Sequence, residues 1–583
     1  MAAYYRAFSS LALYDDEGTM MMTVKRFFEG NALYDQVASV YGPLYYFYEW
    51  SAHTLARIPL SHDSVRLVSI TFWVGAALMV FLLVYRATGS LLLGALMHIL
   101  AFRAMRFIGD EPAHPQEACI FLLMAFGLAC YTANRTWRMA WLGALAGAML
   151  ATKINLGIFA VLALAAGFAY AMRPGAIRTA TVFAASAGAL VFPVLLIWGY
   201  REEWWAVRLC AVVVISLAAV ILTISHIEWD IHIRIRDMVV AGLSCAAAIA
   251  AICSFPLAHG STIQGMVEWL IVKPRTIFGH VWFLPAPVDP VAPLWAVSGL
   301  IFAWYVATKR LSSSVIEKAK LVFGTAVILL CTASLYSDLI NFATPFIWLV
   351  AVRPEKSAPG SQDSFARAVL ALAGVIQVLY VYPVAGSQIQ FAAIFLIALA
   401  GVCLWDGIPL RVSSAIPVAA LAVMGACYLG LAWRVHAYYE TLEPLGLPGA
   451  ERLHLEPEMA AAVRAIAGQV NASACTMLVT EPSLFSFNFW THVPAPDGLP
   501  GAWVIFLSDA EEERIVQQVA RDPHACVIRR QDIVDQWTRH GDVSSQPLVR
   551  YIRENFRTVY ETYGYCFMVR KPGVSALQLN TSF

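Results

Sequence analysis

The stretch LVSITFWVGAALMVFLLVY, residues 67–85, decides the fold class of this chain. It contains 19 consecutive residues without Asp, Glu, Lys or Arg. About 20 such residues in an α-helix span the hydrocarbon core of a bilayer, whereas a helix on the surface of a soluble domain keeps one polar face. The stretch therefore predicts a membrane-spanning helix.

Further apolar blocks follow this one along most of the chain. They cover residues 90–107, 116–131, 139–152, 154–172, 176–199, 205–224, 238–257, 291–308, 320–337, 341–352, 366–383, 389–404 and 412–433. The blocks 139–152 and 341–352 are short and are expected to be half-helices. The chain is 59% hydrophobic and 14% charged, while soluble domains carry about 25% charged residues. We predict an all-α polytopic membrane bundle of roughly 12–14 spans.

A change of composition near residue 434 predicts three regions. Residues 1–66 form an N-terminal external acidic segment with juxtamembrane helices, 67–433 the transmembrane catalytic domain, and 434–583 a soluble C-terminal domain. In the last region, helices are expected at 456–470 and 510–520 and strands at 476–480, 504–507 and 526–529, an alternation typical of a small α/β domain. A net charge of +1 argues against nucleic acid as a partner.

Lys and Arg concentrate in alternate loops of the predicted bundle, as the positive-inside rule requires of cytoplasmic loops. These residues are Arg86, Arg135, Arg138, Arg173, Arg178, Arg234, Arg236, Lys309, Arg310, Lys318, Lys320, Arg353, Lys356 and Arg411. The N-terminal segment, the remaining loops and the C-terminal domain then lie on the outer, periplasmic side of an inner (plasma) membrane. Only 14 residues precede Asp15, so either the N-terminus lies outside natively or an anchoring helix is missing from this start.

Three adjacent carboxylates, Asp15, Asp16 and Glu17, precede the first apolar block. Carboxylates this close repel one another, so at least one pKa rises unless a cation or basic side chain lies nearby. The cluster suits a general base or a clamp for Mg²⁺ or Mn²⁺. A simpler interpretation also fits: Asp15 or Asp16 caps the helix that follows.

Several motifs of the N-terminal third resemble the GT-C superfamily of polyprenyl-phosphate-sugar glycosyltransferases. Its bacterial protein O-mannosyltransferases and aminoarabinose transferases are the most similar. The matching stretches are Asp16-Glu17-Gly18, Phe28-Glu29-Gly30, Gly42-Pro43-Leu44-Tyr45-Tyr46, Arg66 and a Gly-rich span that ends in Thr152-Lys153. The resemblance implies a hexosyl- or pentosyltransferase that uses a lipid-linked donor and inverts the anomeric centre.

The resemblance also implies roles for individual residues. Asp16 would be the base that activates a hydroxyl acceptor on a glycan, lipid or protein, while Asp15 and Glu17 orient the acceptor or hold the cation. Lys153 would bind the departing lipid phosphate, which needs positive charge beside it. Lys153 could instead snorkel to the membrane interface. Tyr45 would line the site.

Outer loops supply further candidates. Glu111 and His114 would position the acceptor or complete a metal site, although an acid-capped helix start explains them equally well. Gln388, after Gly386 and Ser387, offers hydrogen bonds to a ligand. Arg275, in the long loop 259–290, is a candidate for phosphate contact, and an interfacial belt of aromatic and basic residues is the alternative.

Two features of the C-terminal region remain open at this stage. Cys475 and Cys526 could form a disulfide in an oxidising compartment and leave Cys566 free. The aromatic run Pro482–Trp490 either binds a sugar or belongs to the hydrophobic core.

Two other functional classes compete with a glycosyltransferase: a transporter or flippase of lipid-linked saccharides, and a noncatalytic membrane assembly protein. A transporter places its ionisable groups near the middle of the bilayer, whereas the candidates here lie at the outer ends of the spans. An assembly protein needs no cluster of carboxylates. The sequence therefore favours an enzyme whose partners are a lipid-linked sugar, membrane lipid and an acceptor.

Overall fold

The computed structural model describes residues 1–277, 284–353, 363–408, 415–501, 503–537 and 543–572. Three α-helices precede the first long apolar helix, and a π-helical turn at Ser51–Leu55 follows the third. They are Ala2–Ala7 (α1), Asp16–Phe28 (α2) and Pro43–Trp50 (α3). Pro43 begins α3, where a proline loses no helical hydrogen bond because the first N–H groups of a helix have no partner.

Apolar helices make up the body of the molecule. Their bounds are His62–Thr88 (α4), Leu91–Ala104 (α5), Gln116–Ala129 (α6), Arg135–Leu150 (α7), Ile154–Ala171 (α8), Ala176–Ile197 (α9), Trp204–His226 (α10), Ile235–Ala258 (α11), Ile263–Val267 (α12), Lys273–Ile277 (α13), Ala292–Ala307 (α14), Ser313–Thr332 (α15), Tyr336–Asp338 (α16), Ser364–Ile376 (α17), Gln388–Gly407 (α18) and Ala415–Glu440 (α19). In the described part of the chain, eight helical segments are long and apolar enough to cross a membrane. The predicted all-α polytopic bundle is confirmed.

One of the two expected half-helices is wrong. Block 139–152 belongs to α7, a regular helix of 16 residues that starts at Arg135. The side chain of Asn134 caps this helix by accepting from the amide of Trp137 at 3.1 Å, so a polar first turn precedes the apolar block. Block 341–352 is irregular as expected, with a π turn at Leu339–Ala343 and a 3₁₀ helix at Thr344–Val350.

Basic loops that the sequence assigns to one side of the membrane meet at one end of the bundle. Ion pairs of the predicted residues lie there: Arg135–Asp237, Arg138–Asp363, Lys320–Asp406 and Arg353–Asp230. Asp406 also pairs with Arg367, which lies inside α17 and was not among the predicted residues. At the opposite end the N-terminal segment packs on the C-terminal domain, with Asp15 bonded to Ser486 and Arg26 bonded to Leu499. The predicted separation of these two groups is therefore present in the fold.

The C-terminal domain follows α19, which ends at Glu440 rather than near residue 434. A small antiparallel pair comes first, then a four-stranded sheet of order β3-β4-β6-β5, in which only β3 and β4 run parallel. The elements are Glu443–Pro444 (β1), His454–Leu455 (β2), Pro457–Ala472 (α20), Met477–Glu481 (β3), Ser486–Thr491 (α21), Trp503–Phe506 (α22), Asp509–Arg521 (α23), Ala525–Arg530 (β4), Gln531–Trp537 (α24), Pro547–Asn555 (α25), Phe556–Thr562 (β5) and Tyr565–Arg570 (β6). This confirms the predicted α/β class.

The expected strand at 504–507 is wrong, because the chain forms the helical turn α22 there. The indole of Trp503 donates to the carbonyl of Thr480 at 3.0 Å and anchors that turn on β3. Four apolar residues are too few for a sequence period to separate a strand from a buried helical turn.

The two open questions about the C-terminal region are also answered. Cys475 and Cys526 form a disulfide, and Cys566 is free. In the aromatic run, Phe485, Phe487 and Trp490 are buried in the cores on the two faces of the sheet. The run is therefore a core segment.

Candidate active site

Asp15 caps the helix that follows it. Its backbone is left-handed, with φ of 52°, and its buried carboxylate accepts from the amide of Gly18 at 3.0 Å. Ser486 donates to the same carboxylate from its amide at 2.7 Å and from its hydroxyl at 2.5 Å. Burial raises the pKa of Asp15 to about 7, although these hydrogen bonds oppose the shift. Asp15 thus has the helix-capping role that the sequence left open.

Glu17 is held by an arginine from the start of α4. Arg66 donates to both of its carboxylate oxygens, from Nε at 2.8 Å and from a terminal nitrogen at 2.6 Å. Arg66 also donates to the carbonyl of Ser10 at 2.8 Å, and both charged side chains are buried. This fork fixes the N-terminal segment on α4 and leaves Glu17 little capacity for a ligand.

Asp16 lies between these two anchored residues. Its side chain is half-buried, and its carboxylate has no hydrogen-bond or ion-pair partner within the described ranges. Burial raises its pKa well above the usual range, and the negative charges of Glu111 and Asp15 raise it further. Of the three adjacent carboxylates, Asp16 is the one available to react.

Glu111 lies in the loop after α5 and reaches the same cluster. Tyr14 donates its hydroxyl to one carboxylate oxygen of Glu111 at 2.6 Å, and Ser387 donates to the other at 2.7 Å. Gln116 donates to Ser387 at 3.1 Å and steadies it. Burial raises the pKa of Glu111, against the effect of these hydrogen bonds. The acidic loop and the loop before α18 therefore meet beside Asp16.

His114 adds a neutral imidazole. The amide of Gln116 donates to its Nδ1 at 3.3 Å, which leaves the proton on Nε2, and Nε2 lies 2.7 Å from the hydroxyl of Tyr41. Burial lowers the pKa of His114 well below its usual value. The hydrogen bond from His114 fixes Tyr41, whose ring is 5.8 Å from the ammonium of Lys153.

Lys153 occupies the turn between α7 and α8. Gly42 and Leu44 hold this turn, because their amides donate to the carbonyls of Thr152 at 2.8 Å and of Ala151 at 3.0 Å. A Cβ on Gly42 would lie 2.2 Å from the carbonyl oxygen of Ala151. Only glycine therefore fits at this position of the Gly-Pro motif.

The ammonium of Lys153 donates to the hydroxyl of Tyr380 at 2.9 Å. It forms no ion pair within the part of the chain that the structure describes. Burial lowers its pKa, and the nearby charge of Glu111 opposes that shift. A half-buried ammonium without a bonded carboxylate is suited to binding an anion.

Three predicted residues lie apart from this cluster or at its edge. Gln388 is half-buried and follows Ser387 directly. Tyr45 is completely buried in an aromatic core with Tyr46, and its hydroxyl has no hydrogen-bond partner among the residues that the structure describes. Arg275 is exposed on α13 and makes no hydrogen bond or ion pair to the cluster among the described residues.

Aromatic hydroxyls are the part of the cluster that the sequence did not predict. Tyr14 adjoins the acidic triplet and Tyr41 adjoins the Gly-Pro motif, so their neighbours in sequence were a usable signal. Tyr380 stands in an apolar run with no such signal. It reaches Lys153 only because the 3₁₀ turn Gln377–Val381 after α17 packs beside α8.

The three adjacent carboxylates do not fit a shared metal ion. Asp15 accepts from Gly18 and Ser486, and Glu17 accepts from Arg66, so neither is free to join Asp16 as a ligand. Over the described ranges, no group of three or more His, Cys, Asp or Glu side chains is placed to hold a metal ion.

Comparisons with known proteins give weak similarities. No protein-family model and no curated protein matches the chain. Crystal structures of ArnT from Cupriavidus metallidurans, one of them bound to undecaprenyl phosphate, match 99% of this chain and 97% of that chain at 13% identity and a TM-score of 0.37. The archaeal oligosaccharyltransferase AglB from Archaeoglobus fulgidus, in complex with an inhibitory peptide and a dolichol-phosphate, matches 98% of this chain and 70% of that chain at 12% identity and a TM-score of 0.34.

Proposed function

We propose that this chain is a membrane glycosyltransferase that moves a sugar from a polyprenyl-phosphate-linked donor to a hydroxyl group of an acceptor. The observation that carries the proposal is one cluster at one end of an apolar bundle, in which the carboxylate of Asp16 and the ammonium of Lys153 both lack a charged partner among the described residues. Transfer from a glycosyl phosphate requires a base beside the acceptor and positive charge beside the phosphate.

Asp16 is the base in this proposal. Its carboxylate takes the proton of the acceptor hydroxyl while the hydroxyl oxygen attacks the anomeric carbon. The bond from that carbon to the phosphate oxygen breaks, and the lipid phosphate leaves with the electron pair. A single displacement of this kind inverts the anomeric configuration. A raised pKa makes the ionised carboxylate of Asp16 a stronger base than an ordinary carboxylate.

Lys153 neutralises the charge on the departing phosphate. Since its ammonium donates to the oxygen of Tyr380 at 2.9 Å, the proton of that hydroxyl is available for a phosphate oxygen. Arg275 remains a second proposed phosphate contact, from the loop 259–290. A positive group of this kind supports the transition state more than the ground state, because the negative charge on the phosphate grows as the bond breaks.

Acceptor positioning falls to the remaining polar groups. Glu111 is aligned by Tyr14 and Ser387, and His114 is aligned by Tyr41. Together with Gln388, these side chains offer hydrogen bonds of both kinds to a hydroxyl-bearing acceptor. No step of the proposal uses a metal ion, and turnover with added Mg²⁺ or Mn²⁺ against turnover with a chelator tests that directly.

We place the protein in the inner membrane as a multi-pass protein, with the site and the C-terminal domain on the periplasmic side. Two observations support this placement. Basic loops meet at the opposite end of the bundle, as expected of cytoplasmic loops. The Cys475–Cys526 disulfide lies on the C-terminal domain, and disulfides persist in oxidising compartments.

Donor breakdown tests the proposal. The purified protein in lipid nanodiscs is mixed with a set of undecaprenyl-phosphate hexoses and pentoses, and released undecaprenyl phosphate is followed by mass spectrometry. We expect release with at least one donor and none from the Asp16→Asn variant. Intact donors throughout, together with movement of labelled lipid-linked sugar across vesicles that contain the protein, would favour the flippase alternative.

A further inference from the structure

A serine of the C-terminal domain makes a direct contact with the proposed catalytic segment. Ser486, the first residue of α21, donates its amide to one oxygen of Asp15 at 2.7 Å and its hydroxyl to the other at 2.5 Å. Asp15 is the neighbour of Asp16, while Ser486 lies far along the chain in a different domain. Both partners of this contact are buried.

A buried histidine completes the contact from a third element. The hydroxyl of Ser486 has one proton and gives it to Asp15, so Nε2 of His62, at 2.8 Å from the same oxygen, must be the donor. His62 begins α4, is fully buried, and stacks on Trp490 with ring centres 4.9 Å apart. A directed chain therefore runs from His62 through Ser486 to Asp15.

Gly18 allows the serine to come this close. A Cβ at Gly18 would lie 2.4 Å from the amide nitrogen of Ser486 and 2.5 Å from a carboxylate oxygen of Asp15. Farther along α2, Arg26 donates to the carbonyls of Leu499 and Pro496, both at 2.7 Å. The C-terminal domain thus holds both the start and the end of the helix that begins with Asp16.

Asp15 needs this support because of its backbone. A left-handed conformation is unfavourable for a residue with a side chain, and it persists only where the surroundings fix it. The φ of 52° at Asp15 sets the direction in which the next residue leaves the backbone. If the contacts to Ser486 were lost, Asp15 could relax to the right-handed region, and the Asp16 carboxylate would move away from Glu111.

From this geometry we propose that Ser486 is a positioning residue, through which the C-terminal domain holds Asp16 in place. The proposal rests on the proposed function, in which Asp16 is the base. In this proposal the C-terminal domain is part of the active site, because it fixes the carboxylate of Asp16 without contacting the substrate. Ser486 acts only through Asp15.

Kinetics of matched variants test the positioning role. Ser486→Ala removes the hydroxyl bond and Asp15→Asn replaces one acceptor oxygen by a donor. Each is expected to lower kcat on the order of 10²-fold, the usual result of a displacement of about 1 Å in an active site. The double variant should be no slower than either single one, because both changes break the same contact. Affinity for undecaprenyl phosphate should stay at the wild-type value, since Lys153 is untouched.

Ser483→Ala is the control. It makes the same change just before α21, at a hydroxyl that donates to the carbonyl of Pro482 at 2.6 Å and not to Asp15. We expect wild-type kcat from it. The positioning role is overturned if Ser486→Ala keeps wild-type kcat, or if it weakens undecaprenyl phosphate binding as much as it slows turnover, which would indicate general disruption.

Hydrogen exchange provides a measurement that does not depend on activity. In Ser486→Ala and in Gly18→Ala, the amides of residues 15–28 should exchange faster than in the wild type, while those of α8 should not change. Suppose that the wild type turns over no donor, while exchange at residues 15–28 is faster in the variants. The proposed function then fails, but the contact between Ser486 and Asp15 is still shown to hold the N-terminal segment. Unchanged exchange in both variants would refute the positioning role, whatever the activity of the wild type.

Discussion

The ammonium of Lys153 donates to the hydroxyl of Tyr380 at 2.9 Å and lies 4.6 Å from the centre of that ring. A lysine that merely snorkels to the lipid interface extends its ammonium toward water and headgroups. Here the ammonium is instead directed into the bundle, against two aromatic rings, those of Tyr41 and Tyr380. This geometry favours an anion-binding role over the snorkelling role that the sequence left open.

Lys153→Met is expected to lower donor turnover by about 10² to 10³, the cost of removing one charge-stabilising donor. Lys153→Arg should recover part of the rate, because it keeps the charge and changes the geometry. Lys318→Met, at an exposed lysine on α15, is the control and should be neutral. Release of undecaprenyl phosphate measures all three, and full activity in Lys153→Met would remove this residue from the site.

Substitutions of Asp16 and Glu17 are expected to have different effects, one on activity and the other on stability. Glu17→Gln leaves the buried guanidinium of Arg66 without its counter-charge, which should cost about 3–5 kcal/mol and lower the thermal midpoint. Asp16→Asn breaks no described hydrogen bond and should abolish transfer at a wild-type midpoint. Tryptophan fluorescence during heating, beside donor turnover, measures both. A strongly destabilised Asp16→Asn would make Asp16 a structural residue.

The activity should depend on pH through Asp16. The base must be ionised, so kcat/KM is expected to fall as the pH drops through the raised pKa of Asp16. Burial is the main cause of this raised pKa, and the charges of Glu111 and Asp15 raise it further. Tyr14 and Tyr41 are the other titratable groups near the carboxylate. Glu111→Gln removes one negative charge, so the acid limb should move to lower pH even if the maximum rate falls.

Glu29→Gln is the control for this pH profile, since Glu29 is exposed and forms an ion pair with Lys25 at 3.9 Å. Its acid limb should coincide with that of the wild type. An acid limb that does not move in Glu111→Gln would show that Asp16 does not govern the profile.

Apolar length was enough to predict the bundle, because lipid requires a satisfied backbone and an apolar surface over each span. The blocks at 67–85 and 389–404 became α4 and α18 for that reason. The sequence did not predict the beginning of α7, because the first turn of this helix is polar and lies outside the apolar block. Asn134 is nevertheless a recognisable helix cap. Apolar length is therefore a better guide to where a helix exists than to where it begins.

The candidate site was only partly predictable, because three adjacent carboxylates acquire different roles from partners far away in sequence. Ser486 is bonded to Asp15 and Arg66 is bonded to Glu17, while Asp16 has no bonded partner in the described part of the chain. No spacing within the triplet distinguishes these outcomes. Lys153 was a predictable candidate, because a lysine between two apolar blocks is costly in lipid. Its contact with the hydroxyl of Tyr380 depends on helix packing, which the sequence does not state.

The side of the membrane on which the site lies can be measured by cysteine labelling with a reagent that cannot cross membranes. Single cysteines near Asp15, Pro112 and Val435 should be labelled from the periplasm, and those near Arg178 and Lys309 should not. Labelling after the membrane is made permeable is the control for accessibility of each probe. The opposite pattern would place the cluster in the cytoplasm and reverse the proposed topology.

Gly42 lies against the backbone of the turn that carries Lys153, and a Cβ there would be 2.2 Å from the carbonyl oxygen of Ala151. Since this contact is to backbone and not to a flexible side chain, Gly42→Ala should push the turn away and displace the ammonium. We expect weaker binding of undecaprenyl phosphate and slower turnover, to about the level of Lys153→Met. Combining the two changes should add little, because each removes the same charge from the site.

Gly188→Ala is the matched control for Gly42→Ala. Gly188 lies in α9, and a Cβ there meets nothing within 4 Å. The change should leave phosphate binding intact and favour the helix slightly, because alanine is the better helix former. Titration of each variant with undecaprenyl phosphate decides the matter. Wild-type affinity in Gly42→Ala would mean that the Gly-Pro motif does not position Lys153, and the part of the resemblance carried by that motif would lose its physical basis.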